Sequence, residues 1–516
     1  MNVALMLSRS ASMTPSAPAL ALGRDLLLDY AGLWRRVTML SEGLGRMAAP
    51  GDRVVLAMQN LPDYLVLMFA ALHRGLVIVP VNAALQTREI EYCLADSGAV
   101  ACFTDSGHAE ALAHLPGKVE TLRAVIDVES EAFQALSIPI SDQTPVERRS
   151  ENPAWIFYTS GTTGRPKGAV LSHGSLRAMA MAQLSDYGTP PPGACLVHHA
   201  PLSHASGLLA IPFVASGALQ VIPEPEHRSV AGVLALTSHW GGAYLFSAPT
   251  FLNRLVAVAS VNPADAAGIR TIFFGGAPMY VEDLSRALAV LGPRLAQIYG
   301  QGESPMTISG VPAQAYGSAT GDELRRLMAS VGWVRSGVEL AILDEAGERS
   351  PPGKPGMVAV RGDVVMSEYW NMAEATASTL VGGWLHTGDI GIFDDSGLLS
   401  LVDRAKEVII SGGLNIYPRE VEEVLLSHPD VAEVSVVGLP DAEWGEITVA
   451  AVVARAGRTI DTQDLDALCL DNIARFKRPK KYFVVDELPK SAYGKILKKD
   501  IRSTLIGKRL PNAVAG

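Results

Sequence analysis

Between residues 53 and 103 the chain repeats a rhythm that few architectures accept. Residues 53–58, 77–81 and 100–103 are short apolar runs that predict strands, and residues 63–73 and 87–94 between them carry helical apolar spacing. Strands that alternate with helices of this length pair in parallel, because each helix carries the chain back across the sheet. The predicted fold class is α/β. Ahead of this block, apolar residues at helical spacing from 26 to 47 predict a helix ending at Ala48-Ala-Pro-Gly51. Residues 129–150 read as a surface connector.

At 516 residues the chain exceeds what one compact core serves, so two or more domains are expected. A net charge of −10 argues against a nucleic-acid binder. Cys93, Cys102, Cys195 and Cys469 show no C-x-x-C spacing, which argues against a disulfide framework or cysteine-held zinc and fits a reducing, cytoplasmic setting. No secretory signal is expected, since residues 1–20 lack a basic start and Arg9 interrupts their apolar run. The uncharged stretch 205–223 approaches the length of a membrane span. Gly207, Pro212 and Gly217 interrupt it, so it reads as a buried helix, a turn at 215–218 and a buried strand.

One loop has the composition of an anion cradle. Residues 155–158 predict a buried strand that breaks into Thr159-Ser-Gly-Thr-Thr-Gly-Arg-Pro-Lys-Gly168. Glycines let backbone N–H groups approach an anion, hydroxyls add compact donors, and Lys167 brings a mobile positive charge. A plain surface turn is the competing reading. A P-loop NTPase fits poorly, because Gly168 follows Lys167 where Ser or Thr is required. Strands predicted at 269–274 and 297–299 also run into glycine-rich segments, Gly275-Gly-Ala-Pro278 and Gly300-Gln-Gly-Glu303. In open α/β sheets the ligand crevice lies at such strand ends, so the three loops are candidates for one site.

From residue 331 the pattern becomes β-rich, with short strands predicted at 338–343, 356–360 and 398–402. A helix at 419–426 and strands at 431–438 and 448–455 follow. A boundary near Arg404 to Lys406 leaves enough chain for a small α+β domain. Residues 475–509 are strongly basic. A solvated charged face and a contact surface for a polyanion both remain open.

Taken in order, these segments resemble the adenylate-forming superfamily, which includes acyl-CoA synthetases, firefly luciferase and peptide-synthetase adenylation domains. The resemblance rests on Tyr158-Thr-Ser-Gly-Thr-Thr-Gly-Arg-Pro-Lys-Gly168, Pro201-Leu-Ser-His-Ala-Ser-Gly207, Gly275-Gly-Ala-Pro278, Tyr299-Gly-Gln-Gly-Glu303, Trp384-Leu-His-Thr-Gly-Asp389, Asp403-Arg-Ala-Lys406 and Leu488-Pro-Lys-Ser-Ala-Tyr-Gly-Lys495. It implies a large N-terminal adenylation domain at 1–404, of mixed sheets flanked by helices plus a β-rich subdomain. A small mobile α+β domain at 405–516 would follow. It also implies ATP, Mg²⁺ and coenzyme A as partners of the reaction, which activates a carboxylic acid as its adenylate and then passes it to a thiol.

By that resemblance, Thr159, Ser160, Gly161, Thr162, Thr163, Gly164 and Lys167 would cradle the β- and γ-phosphates. Glu303 would hold Mg²⁺. Gly276, Ala277, Pro278, Tyr299, Gly300 and Gln301 would frame the nucleotide, with Asp389 and Arg404 at the ribose. Lys495 would bridge the attacking carboxylate and the α-phosphate. His204, Phe246 and Gly275 would belong to the acid pocket, while Gly412, Gly413 and Arg475 would lie on the coenzyme A side and Lys406 at the hinge. The family pattern has Thr or Ser where this chain has Gly302, which removes one nucleotide contact; the enzyme is expected to remain active.

The segment Ser411-Gly-Gly-Leu-Asn-Ile-Tyr-Pro-Arg-Glu-Val-Glu422 resembles CoA ligases of fatty and aryl acids. By the same resemblance residues 243–250 would help to line the acid pocket, and their Leu245, Phe246 and Ala248, without arginine or lysine, would suit a monocarboxylic acid. Transfer to a carrier protein, or a weakened nucleotide-binding relative, are the alternative outcomes. Homodimers are common among such enzymes, and no membrane span is expected.

Overall fold

The computed structural model describes residues 1–139, 142–159, 165–404, 406–490 and 496–507. Two large sheets and two smaller ones carry the chain. In the seven-stranded sheet the alternating block forms its parallel centre, with Arg53–Met58 lying between Val77–Asn82 and Ala101–Thr104. Pro153–Thr159 joins that centre in parallel, and Lys167–Ser172 folds back on it antiparallel. The nine-stranded sheet contains Ala243–Ser247, Ile269–Gly275 and Leu295–Gln301 as parallel neighbours.

Two helices pack almost wholly inside. In Pro62–Arg74 every residue from Tyr64 to His73 is buried, and in Ala205–Ala215 every residue from Ser206 to Val214 is. A helix apolar on all sides has no solvent face to offer, so both are driven into the core. Gly75 ends the first in a left-handed turn (φ 74°), a conformation that costs a side chain and suits glycine. The core joins Trp155 of the seven-stranded sheet, Phe69 and Phe213 of the helices, and Phe273 of the nine-stranded sheet, all buried. Truncating one such ring to alanine costs about 3–5 kcal/mol.

The stretch 205–223 is the expected helix followed by the strand Leu219–Ile222, and no helix among the described residues is long and apolar enough to cross a membrane. All four cysteines are free and buried. Residues 26–47 differ from expectation at their start. Asp25–Asp29 pairs with Pro18–Leu22 as a hairpin, and the helix begins only at Tyr30. The Asp29 carboxylate accepts from Gly32 N–H at 2.7 Å, so an N-cap sits where helical spacing predicted a helix interior.

Beyond residue 331, Val338–Leu343, Gly356–Gly362 and Trp384–Phe393 form an antiparallel sheet, joined by Leu399–Arg404. A last sheet uses residues 409–484 only, and two apolar clusters draw their buried members only from residues 409–505. This C-terminal unit meets the rest through polar contacts: Tyr280 hydroxyl donates to Glu422 (3.1 Å) and Arg419 N–H to Asp403 (3.2 Å). Glu422 also pairs with Lys498 at 2.9 Å. Burial works to lower the Lys498 pKa, but Glu422 and Asp403 outweigh it and raise it.

Candidate active site

The phosphate-loop candidate is the connection of a β-hairpin. Thr159 and Lys167 are direct partners across its two strands, so the fold sets these two residues opposite each other at the loop's mouth. Ser160, Gly161, Thr162, Thr163 and Gly164 lie outside the described residues. Both stems are tied to the helix Thr87–Ser97. Tyr158 hydroxyl donates to Asp96 at 2.6 Å, and Tyr92 hydroxyl donates to the Pro166 carbonyl at 3.0 Å.

Glu303 stands opposite. Leu295–Gln301 and Ser304–Val311 pair antiparallel, and Gly302 and Glu303 form the tight turn between them. Glu303 is 8% exposed, and its Oε1 accepts from Thr159 Oγ1 (3.2 Å) and Tyr369 hydroxyl (2.7 Å). Lys167 Nζ lies 4.9 Å from the centre of the same tyrosine ring. A carboxylate flanked by hydroxyls is a hard oxygen donor set, which fits Mg²⁺ when phosphate oxygens complete the shell. Among the described residues, the one trio of carboxylate and imidazole groups gathered within 4.8 Å is Glu224, Glu226 and His227 on the surface, and Glu303 is not in it.

Gly302 takes on a different meaning in this setting. A Cβ there would lie 2.5 Å from Thr159 Cγ2 and 2.7 Å from Phe157 Cδ1. The space that a Thr or Ser would need is already filled, so the glycine belongs to the packing of this turn. Gly300 is equally confined, since a Cβ there would lie 2.3 Å from Met306 N. Met306 itself is left-handed (φ 59°), and its carbonyl accepts from buried Arg335 at 2.8 Å.

A second polar cluster surrounds Asp389, 4% exposed on the strand Trp384–Phe393. Its Oδ2 accepts from Tyr299 hydroxyl at 2.5 Å and Gln301 Nε2 at 2.7 Å, and its Oδ1 from Arg404 Nε at 2.5 Å. Burial and the neighbouring Asp389 charge hold the Tyr299 phenol well above its ordinary range. Gln301 also donates to the Thr387 carbonyl at 2.9 Å. Gly275 lies beside Ile298 on the adjoining strand, where a Cβ would meet the Ile298 carbonyl at 2.1 Å. Gly276 is left-handed (φ 80°), so Ala277 and Pro278 leave the strand through a turn that glycine permits.

The acid-side residues are held differently. His204 precedes the buried helix Ala205–Ala215, and its ring meets Phe157 edge-on at 5.3 Å. Burial pushes the His204 imidazole down to about 4, so it is neutral near pH 7. Phe246, half-buried, pairs with Phe273 on the next strand. An open cavity of about 280 Å³ is lined by Asn60, Asn82, His108, His198, His199 and Ser203, among others, and by neither His204 nor Phe246. His198 is held between Ser206 (2.8 Å) and Gln220 (3.0 Å), and burial pushes it down to about 4. His199 stacks on Phe251 at 4.0 Å. Sequence reasoning passed over Phe157, Tyr369 and these two histidines. The adjacent pair His198-His199, just before Pro201, was the available signal.

The remaining predicted residues lie in or near the C-terminal unit. Gly412 and Gly413 form the two-residue turn between Ile409–Ser411 and Leu414–Ile416, both left-handed (φ 58° and 79°). A Cβ on Gly412 would come within 2.8 Å of the Trp444 ring. Arg475 and Lys406 are exposed, and Lys495 lies outside the described residues. Among the described residues, no hydrogen bond joins Gly412, Gly413 or Arg475 to the Glu303 and Asp389 clusters. Among the described residues, the structure thus gathers Thr159, Lys167 and Glu303 around Tyr369, and Tyr299, Gln301 and Arg404 around Asp389.

Residues 7–370 match the AMP-binding enzyme family and residues 420–495 match the AMP-binding enzyme C-terminal domain. A feruloyl-CoA synthase of Amycolatopsis is 35% identical over 499 residues, covering 96% of this chain and 97% of its own. A fatty acid–[acyl-carrier-protein] ligase of Streptomyces coeruleorubidus is 33% identical over 498 residues, covering 96% and 94%. Among solved structures, ATP-bound MatB from Rhodopseudomonas palustris matches with a TM-score of 0.87 at 28% identity, over 98% of this chain and 99% of that one. Polar clusters, sheets and sequence agree: the chain belongs to the AMP-binding enzyme family and is an ATP-dependent, adenylate-forming enzyme.

Proposed function

We propose that this enzyme is an AMP-forming acid–CoA ligase acting on a monocarboxylic acid of the fatty, aryl or arylpropenoic class. The observation that carries the reading is the pair of prearranged carboxylates, Glu303 facing Thr159 and Lys167, and Asp389 facing Tyr299 and Arg404. Their separation into two clusters suits a nucleotide laid between them, phosphates at one and ribose at the other. The acid's carboxylate attacks the α-phosphorus, and pyrophosphate leaves toward Thr159 and Lys167. The coenzyme A thiol then attacks the acyl carbon and AMP departs.

In this reading Glu303 would hold Mg²⁺, which would supply positive charge to the phosphates. Lys495 neutralises charge that grows as the carboxylate meets the α-phosphate. Asp389 accepts from the ribose hydroxyls, with Arg404 beside it, and Tyr299 and Gly276 to Pro278 border the base. His204, neutral and set against Phe157, closes the mouth of an apolar acid pocket that includes Phe246 and Gly275. The domain boundary falls near Lys406, and the Gly412–Gly413 turn and Arg475 serve coenzyme A once the C-terminal unit has rotated.

Transfer to a carrier protein is the second reading, favoured by the acyl-carrier-protein ligase among the relatives. ATP–pyrophosphate exchange with a panel of acids, followed by product analysis with coenzyme A or with a phosphopantetheinylated carrier, decides between them. Thioester on coenzyme A is expected; thioester on the carrier alone would reverse the assignment. Lys495→Ala should abolish exchange while sparing thioester formation from supplied acyl-AMP, and equal loss of both would remove Lys495 from its role.

A further inference from the structure

Tyr369 occupies a position that none of the roles above explains. It is 6% exposed and lies on the two-residue strand Glu368–Tyr369, paired with Ala169 just past the phosphate loop. Its backbone surroundings are fixed on both sides: Trp370 N–H donates to the Gly168 carbonyl at 2.7 Å, and Met366 N–H to the Glu303 carbonyl at 2.8 Å. The Trp370 indole N–H reaches back to the Asp96 carbonyl at 3.1 Å. The ring is thereby wedged between the two charged groups of the phosphate end. Its hydroxyl donates to Glu303 Oε1 at 2.7 Å, and its face lies under Lys167 Nζ at 4.9 Å.

A carboxylate and an ammonium that share one neighbour attract each other, and direct pairing would neutralise both before substrate arrives. Among the described residues Lys167 and Glu303 form no ion pair within 4.0 Å. We propose that Tyr369 is a positioning residue that works as a spacer: its hydroxyl orients Glu303 for a divalent cation, and its ring face holds Lys167 apart for phosphate. A hydrogen bond to a metal-binding carboxylate orients its oxygens, and a cation over an aromatic face keeps its hydrogens available on the outer side. The proposal rests on the assignment of Glu303 and Lys167 given above.

Two variants separate the two contacts. Tyr369→Phe keeps the ring and deletes the hydroxyl; Tyr369→Leu deletes both. Calorimetric titration with ATP, in EDTA and then at increasing Mg²⁺, measures binding without requiring turnover. In Tyr369→Phe the Mg²⁺ concentration giving half the metal-dependent gain in ATP affinity should rise about tenfold, with affinity in EDTA unchanged. Tyr369→Leu should in addition weaken ATP binding in EDTA about threefold or more, through loss of the shelf for Lys167. An unchanged Mg²⁺ requirement in Tyr369→Phe overturns the proposal, even if Tyr369→Leu fails to fold. If the wild-type protein binds ATP but exchanges pyrophosphate with no acid, the ligase reading fails while the calorimetric comparison still decides the role of Tyr369.

Discussion

At the end proposed for the nucleotide, Glu303 and Asp389 are both buried, and each receives two donors from segments far away in sequence, with Arg404 of the adjoining strand adding a third at Asp389. At the end proposed for the acid, the His204 and Phe157 rings meet edge-on, and burial keeps the His204 and His198 imidazoles neutral. The first region is prearranged by charge and hydrogen bonds, the second by shape. Fixed dipoles demand one arrangement of phosphate, metal and ribose, whereas an apolar wall accepts many acids of suitable volume. On the proposed assignment, identity of the nucleotide is encoded in polar side chains, and identity of the acid in the space left by packing.

The contrast can be broken most sharply at Asp389. Asp389→Ala removes the acceptor shared by Tyr299, Gln301 and Arg404, and should lower kcat/KM for ATP about 100-fold with KM for the acid nearly unchanged. Steady-state kinetics with each substrate varied in turn checks this, and a parallel rise in the acid's KM would show that the two ends are not independent. Next comes the turn between them. Gly302→Thr should reduce pyrophosphate exchange about 30-fold, because the new side chain collides with Thr159 and Phe157. Adding Thr159→Ser, which deletes the nearer colliding methyl, together with Phe157→Leu should restore much of that loss; failure of the triple variant to recover would mean that crowding is not the cause.

Phe246→Ala should act only on the acid side, shifting the ratio of kcat/KM between a long-chain and an aryl acid about tenfold while leaving the KM for ATP within about twofold. Competition assays with mixed acids measure the ratio directly. The smallest effect concerns protons. His198 is lowered by burial from 6.5 to about 4, so well above pH 6.5 neither folded nor unfolded protein binds a proton there. Below pH 6.5 only the unfolded chain does, and stability falls until about pH 4. Between pH 7.5 and 6.0 His198 should therefore cost about 0.8 kcal/mol of unfolding free energy. Urea titrations of the wild type and His198→Gln at both pH values test it, the variant having the shallower pH dependence.

The same contrast governs how much could be read before the fold was known. The parallel block from residue 53 to 104 was legible because its periodicities are local and strong. The start at residues 26–29 was not: Leu26, Leu27 and Leu28 suit either a strand or a helix, and the cap at Asp29 decides. Trp384–Phe393 passed as a motif and not as a strand, since Gly388 and Gly391 weaken its local signal while two neighbouring strands support it. In the site, Glu303, Asp389 and Arg404 stood out through their motifs. Tyr369 and Phe157 did not, because their importance lies in contacts with residues 47 to 202 positions away, such as Lys167, Glu303 and His204, that no local pattern announces.

The site is assembled from three sheets. Thr159 and Lys167 come from the seven-stranded sheet, Tyr299 and Gln301 from the nine-stranded one, and Asp389 and Arg404 from the β-rich subdomain, with Glu303 at the turn between. No segment of the chain therefore owns it, and grafting the glycine-rich loop onto another scaffold would transfer only a fragment. It also makes nucleotide affinity a gauge of how well the layers sit together. A mild loosening between sheets, too slight to melt any of them, would first be felt as lost ATP binding.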